Sequence, residues 1–151
     1  MTSARHRVRI VVLQTLFEAD LTGHNAREVL QRHLAERRFS PDLEEFAWHL
    51  LNGVQEHEQE IDALIVEAAP NWPLEQMARV DVNILRIAIL ELLFSAEADV
   101  PAKVAINEAV ELSKTFGSEG SRRFVNGVLG TLARQNNLPG TQPRGKKRTE
   151  R

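Results

Sequence analysis

ILRIAILELLF, residues Ile84–Phe94, is the most apolar run of this 151-residue chain. Only Arg86 and Glu91 interrupt it, and it is too short to span a bilayer, which takes about 20 residues. A segment that is apolar on nearly every side is typical of a helix enclosed by other elements. We therefore expect a buried helix over this run at the centre of the core. Its two charged residues should lie in buried polar pairs, for which the sequence offers Glu108 and Glu111 as partners.

Helix start and stop signals flank this run on both sides. Asn25 with Glu28 three residues later resembles a capping box, and Ser40 followed by Pro41 combines a cap residue with a proline at the first helical position. Gly117 is expected to end the helix before it. No segment alternates with period two over a convincing length, so the prediction is an all-α fold without a sheet. About seven helices are expected, near residues 4–20, 25–37, 40–54, 61–65, 74–96, 101–116 and 121–135.

The composition limits the class of protein. Only 5% of the residues are aromatic, which suits a helical protein. There is no cysteine, and this excludes disulfides, catalytic thiolates and thiolate metal sites. Arginines interrupt the apolar run that a signal peptide would need, so a cytoplasmic protein without a membrane segment is expected. Residues 1–140 are predicted to form one helical domain. Residues 141–151, with five basic residues and one acidic residue, are predicted to form a basic disordered tail.

The first seventeen residues, MTSARHRVRIVVLQTLF, concentrate positive charge on one amphipathic helix. No acidic residue precedes Glu18, although the whole chain has a net charge of −2. A guanidinium, an amide and an aromatic ring in one row can hold a phosphate, a base edge and a base face, so such a row is a candidate RNA site. The alternative is a solvated helix end whose arginines contact only water. The row lies apart from the buried valine and leucine stripe and consists of Arg7, Ile10, Gln14 and Phe17.

A long acidic stretch occupies the middle of the chain. From Asp42 to Glu67 there are eight acidic residues and no lysine or arginine. Charge of one sign on one side of a molecule repels nucleic acid and attracts basic partners. The stretch is interpreted either as a solubilising helix face or as a docking surface for a basic protein.

Three segments resemble the NusB family of bacterial transcription antitermination factors. They are VAINEAVELSKTFGSEGSRRFVNGVLG (Val104–Gly130), ILRIAILEL (Ile84–Leu92) and the pattern RxRxRxxxxQxLF from Arg5 to Phe17, in register over about residues 3–134. The resemblance implies two packed helical subdomains. It also implies binding of a short single-stranded RNA element, boxA, with the small-subunit ribosomal protein that serves as NusE, in an RNA polymerase elongation complex. It leaves open whether the free protein is a monomer or a homodimer.

The resemblance assigns candidate RNA-binding residues one by one. The family's arginine-rich motif falls at the start of the first helix, with His6 where arginine is usual, and Phe17 stands where tyrosine is common. Gly120 stands where several relatives carry an acid, which favours the approach of a phosphate. Phe124 matches the aromatic residue of the family's FVNG segment, although its spacing also fits the rim of the core. The full RNA-binding set is Arg5, His6, Arg7, Arg9, Gln14, Phe17, Arg122, Arg123 and Phe124.

Partner docking is expected on the middle helices, because the resemblance implies a partner surface apart from the arginine-rich end. Glu75 and Asp81 are the predicted partner-binding residues. Two other functions stay open. One is a pure protein-interaction module, and the other is a NusB-like domain related to ribosomal RNA cytosine methyltransferases, which continue into a Rossmann-like domain whose glycine fingerprint is missing here. No catalytic residue, metal or cofactor is predicted, since His57 is not followed by the second histidine of a zinc-protease motif.

Overall fold

The computed structural model describes residues 3–95 and 100–138, and this part of the chain consists of helices joined by short turns. The predicted all-α fold is confirmed, and no strand occurs among the described residues. The predicted tail at residues 141–151 lies outside them. A 3-10 turn occupies Leu74–Gln76, and a π-helical segment occupies Leu90–Phe94. The described α-helices number six rather than about seven: α1 (Ala4–Thr22), α2 (Ala26–Ala35), α3 (Pro41–Ala68), α4 (Arg79–Ile89), α5 (Ala102–Phe116) and α6 (Ser121–Gln135).

One long helix replaces two of the predicted ones. The helix that begins after Ser40 and the expected short helix around residues 61–65 form a single α3, which bends at His57 (φ −108°, ψ 15°). No proline stands between Pro41 and Pro70, so nothing in the sequence removes a backbone donor across the bend. This continuity accounts for the difference in helix number.

Polar side chains cap the first three helices. The side chains of Ser3, Asn25 and Ser40 each accept a hydrogen bond from the backbone N–H three residues further on, at 3.0, 3.1 and 3.4 Å. At the other end of α1, Gly23 has φ +79°, and its N–H donates to the carbonyl of Ala19. This left-handed conformation is one that glycine adopts without strain. The predicted caps of α2 and α3 are confirmed.

The apolar run Ile84–Phe94 lies at the centre of the fold, as predicted. Helix α4 packs against α1, α3, α5 and α6, and every residue from 81 to 92 is buried. Around it, one continuous core contains apolar side chains from all six α-helices, whose removal from water is the main stabilising contribution. No helix of the described residues is both long and apolar enough to cross a membrane.

Both charged residues of the central run are paired, but with partners other than the predicted ones. Arg86 donates from Nε and Nη2 to the two carboxylate oxygens of Asp62 on α3, each at 2.9 Å, and Glu91 pairs with Arg9 of α1. The predicted pairing with a glutamate of α5 is therefore wrong for both. Burial acts to lower the pKa of the Arg86 guanidinium, but the hydrogen bond and charge of Asp62 outweigh it, so the pKa is raised and the group stays charged.

Candidate nucleic-acid interface

The four basic residues at the start of α1 differ in exposure. Arg5 and Arg7 are exposed, His6 is half-buried, and Arg9 is only 3% exposed. Helix α1 packs against α2, α3 and α4, so its neighbours cover more than one side of it. Arg5 and Arg7 are therefore the members of the motif whose guanidinium groups are most accessible to a ligand.

Arg9 is held inside the protein by two carboxylates. Its Nε and Nη2 donate to the two carboxylate oxygens of Glu91 at 2.9 and 2.8 Å, and its Nη1 lies 3.4 Å from Oε1 of Glu108. Burial acts to lower the pKa of the Arg9 guanidinium, but Glu91 and then Glu108 outweigh it, so the pKa is raised. The enclosed guanidinium, whose donors are used inside the protein, sets Arg9 apart from Arg5 and Arg7, and its binding of RNA stays a prediction.

His6 and Arg5 are positioned by neighbouring helices. The Nδ1 atom of His6 lies 2.6 Å from Oε1 of Glu108, which ties the start of α1 to α5. The Cζ atom of Arg5 lies 4.2 Å from the centroid of the Phe46 ring, an arrangement that favours the cation through the electron-rich face of the ring. Arg5 is thus held against α3 while it remains exposed.

The predicted second stripe of α1 borders a cleft. Phe17, at the end of the stripe, is half-buried. Part of the lining comes from the turn between α2 and α3 and was not predicted, although two consecutive arginines followed by an aromatic residue were a usable signal. The cleft has a volume of about 410 Å³ and is lined by Arg7, Ile10, Val11, Gln14, Arg37, Arg38 and Phe39.

A second basic and aromatic group lies at the start of α6. Arg122 and Arg123 are exposed in its first turn, where the helix N-terminus also favours an anion. Phe124 is half-buried against the core, and its ring centroid lies 5.7 Å from that of Trp72, which is 50% exposed. Both interpretations of Phe124, rim residue and stacking surface, are compatible with this position. Trp72 was not among the predicted RNA-binding residues, because a single tryptophan in a turn has no periodic spacing.

The two predicted partner-binding residues lie in different environments. Glu75 is exposed in the 3-10 turn before α4. Asp81 is only 7% exposed, and its Oδ1 has no hydrogen-bond partner among residues 3–95 and 100–138. Asp81 lies in the first turn of the buried central helix, unlike the exposed Glu75, and its contact with a partner stays a prediction. The helix dipole stabilises a carboxylate at that position.

An all-helical scaffold with accessible arginines at the starts of two helices, and with partly exposed aromatic rings near them, has the features of a helical nucleic-acid-binding protein. The model of the NusB family matches residues 6–134 of the chain. The chain therefore belongs to the NusB family.

Named relatives and solved structures agree with this assignment. The transcription antitermination protein NusB of Roseiflexus castenholzii is 52% identical over 132 residues, which cover 87% of this chain and 93% of that protein. The structure of T. maritima NusB is 34% identical, with a TM-score of 0.81 and coverage of 89% of this chain and 94% of that one. A structure of the antitermination factors NusB and NusE in complex with dsRNA is 26% identical, with a TM-score of 0.78 and coverage of 89% and 99%.

Proposed function

We propose that this chain is a transcription antitermination factor that binds boxA-type single-stranded RNA together with the ribosomal protein serving as NusE, on elongating RNA polymerase. The names of its relatives support the antitermination role, and the similar structure with NusE and RNA supports the two kinds of ligand. The chain does no covalent chemistry. Its role is to hold nascent RNA and the ribosomal protein together, which places it in the cytoplasm with the transcription machinery.

The observation that carries the proposal is the accessible guanidinium of Arg7, which lines the same cleft as the amide of Gln14. The Arg7 side chain makes no hydrogen bond or ion pair with another described residue. An arginine whose donors are unused can bind phosphate oxygens without first breaking an internal contact. Arg122 and Arg123 add two exposed cations at a helix N-terminus.

The division into two helical subdomains is part of the proposal. Helices α1, α2 and α3 pack against one another, and so do α4, α5 and α6, while α4 also contacts α1 and α3. In this arrangement each group of three helices supplies one basic surface, α1 in the first and α6 in the second. The shared core would fix the two surfaces relative to each other.

Arg7→Ala is expected to weaken boxA RNA binding by about 1.5–3 kcal/mol, the cost of losing hydrogen bonds to a charged group, and to leave the melting temperature unchanged. A filter-binding titration and a thermal melt measure the two quantities. The matched control is Arg134→Ala, which removes an exposed cation from the last turn of α6. Equal losses in the two variants would show that the RNA senses only net charge and would contradict a site at Arg7.

Glu75→Lys is expected to slow association with the basic ribosomal protein at low salt, because exposed charges steer encounters between proteins. The association rate, measured by stopped flow at two salt concentrations, should converge with that of the unmodified chain as salt rises. Glu119→Lys, a charge reversal in the exposed turn before α6, is the control and should have a smaller effect. A larger effect of Glu119→Lys would move the partner surface to the α6 end of the molecule.

A further inference from the structure

We infer that the cleft between α1 and the α2–α3 turn binds one nucleotide of the single-stranded RNA, and that Arg38 and Phe39 act there together with Arg7 and Gln14. This inference rests on the proposed function and adds a subsite to it. The ligand class is a nucleotide unit, in which a phosphate and a base are held in the same cleft.

The size and composition of the cleft fit a ligand of this kind. Its volume of about 410 Å³ lies in the range of clefts that hold small molecules, roughly 300–1,000 Å³. Such sites combine apolar surface with a few polar groups that fix orientation. Here Ile10 and Phe39 supply the apolar surface, Gln14 supplies an amide, and no acidic residue belongs to the lining.

Three arginines give the cleft its charge, and they differ in how they are held. Arg37 donates from Nη1 to the carbonyl oxygen of His33 at 2.9 Å and lies 3.9 Å from Glu36. Arg7 and Arg38 are exposed, and their side chains have no hydrogen bond or ion pair with another described residue. Unpaired cations in one concave surface attract an anion more strongly than either does alone, so a phosphate oxygen is the expected occupant.

Phe39 provides the base-binding surface. Its side chain packs partly against the core, which restrains the ring, and it remains half-exposed where it lines the cleft. A restrained aromatic ring loses little conformational entropy when a base stacks on it, and every base has a face that can stack. Gln14 can donate to or accept from a base edge, so the cleft can hold a stacked base and its phosphate together.

The test combines two variants with boxA RNA oligonucleotides that each carry one abasic nucleotide. The unmodified chain should bind one of these abasic RNAs about 5- to 150-fold more weakly than the intact RNA, because the stacked base is missing. Phe39→Leu, which keeps an apolar side chain in the core, should bind the intact RNA more weakly by the same factor. Removing the base at that position should not weaken the binding of this variant further. Arg38→Ala should reduce the slope of log K against log salt by about 0.7, the value for one phosphate contact in a single strand.

Arg134→Ala is the control for the salt slope and should leave it unchanged. The inference is overturned if Phe39→Leu loses as much affinity as the unmodified chain for every abasic RNA. It is also overturned if Arg38→Ala has the same slope of log K against log salt as the unmodified chain. In either case RNA binding by the unmodified chain would leave the proposed function standing. Absence of any RNA binding by the unmodified chain would overturn both, so the two failures are distinguishable.

Discussion

Glu91→Gln is expected to lower the free energy of unfolding by about 3 kcal/mol, although glutamate and glutamine have nearly the same size. Both carboxylate oxygens of Glu91 accept hydrogen bonds from Arg9, and the Arg9 and Glu91 side chains are only 4% and 1% exposed. The glutamine amide oxygen can still accept one of these hydrogen bonds, but its NH2 group faces the other arginine donor, and the buried guanidinium loses its main countercharge. Glu108, 3.4 Å from Arg9, remains as a second carboxylate and limits the loss. Urea denaturation followed by circular dichroism measures the change.

The control for this prediction is the same substitution at an exposed ion pair. Glu111 accepts from Lys114 at 3.2 Å, and both side chains are about half exposed, so Glu111→Gln should cost less than about 1 kcal/mol. Arg9→Met combined with Glu91→Leu should be more stable than Glu91→Gln, because an apolar pair avoids the uncompensated buried charge. Similar losses for Glu91→Gln and Glu111→Gln would show that burial is not what makes the Arg9–Glu91 pair important.

Gly117→Ala is expected to destabilise the fold by about 1–3 kcal/mol and to weaken RNA binding as well. A Cβ at this position would lie 2.5 Å from Cβ of Ser121 and 2.8 Å from the carbonyl oxygen of Ser113. Ser121 is buried, and its Oγ accepts a hydrogen bond from the backbone N–H of Ser118, so it has no room to retreat. The start of α6 must then move, and Arg122 with it. Urea denaturation and an RNA titration on the same variant measure the two effects.

Gly120→Ala is the matched control in the same turn. A Cβ there meets no atom within 4 Å, and the backbone has an ordinary αR conformation with φ −88°. Alanine should therefore be neutral or stabilise by up to about 1 kcal/mol through the unfolded chain. The predicted role of Gly117 as a helix end is confirmed, but its φ of −90° shows that space, rather than a left-handed backbone, demands glycine. Equal destabilisation by the two alanines would contradict this explanation.

Local signals predicted the helices well. The caps at Asn25 and Ser40 agree with the prediction, because each depends on side chains within a few residues of the helix end. The final helix, Ser121–Gln135, has the predicted bounds. The burial of the central helix was also predictable from its apolar character, which only Arg86 and Glu91 interrupt. The continuity of α3 across the bend at His57 was not predictable, since the apolar pattern breaks there while the backbone helix continues.

The candidate site was predictable only in part. Helix periodicity separates a buried face from an exposed one, but α1 has neighbours on several sides, so Arg9 is enclosed although it lies outside the expected valine and leucine stripe. Spacing also cannot say which helix faces a charged residue, and for that reason the pairing of Arg9 with Glu91 was not foreseen. The cleft residues Arg38 and Phe39 share no element with Arg7, so only the three-dimensional arrangement brings them together.

The Arg9–Glu91 pair joins residues that are 82 positions apart in the chain. During synthesis, α1 leaves the ribosome long before its charged partner and the central helix exist. Until then Val8 and Val12 have no central helix to pack on, and the guanidinium of Arg9 stays hydrated. The amino-terminal basic residues thus acquire their final positions only after most of the chain has been made, and a partly made chain does not display the proposed RNA-binding surface in its finished form.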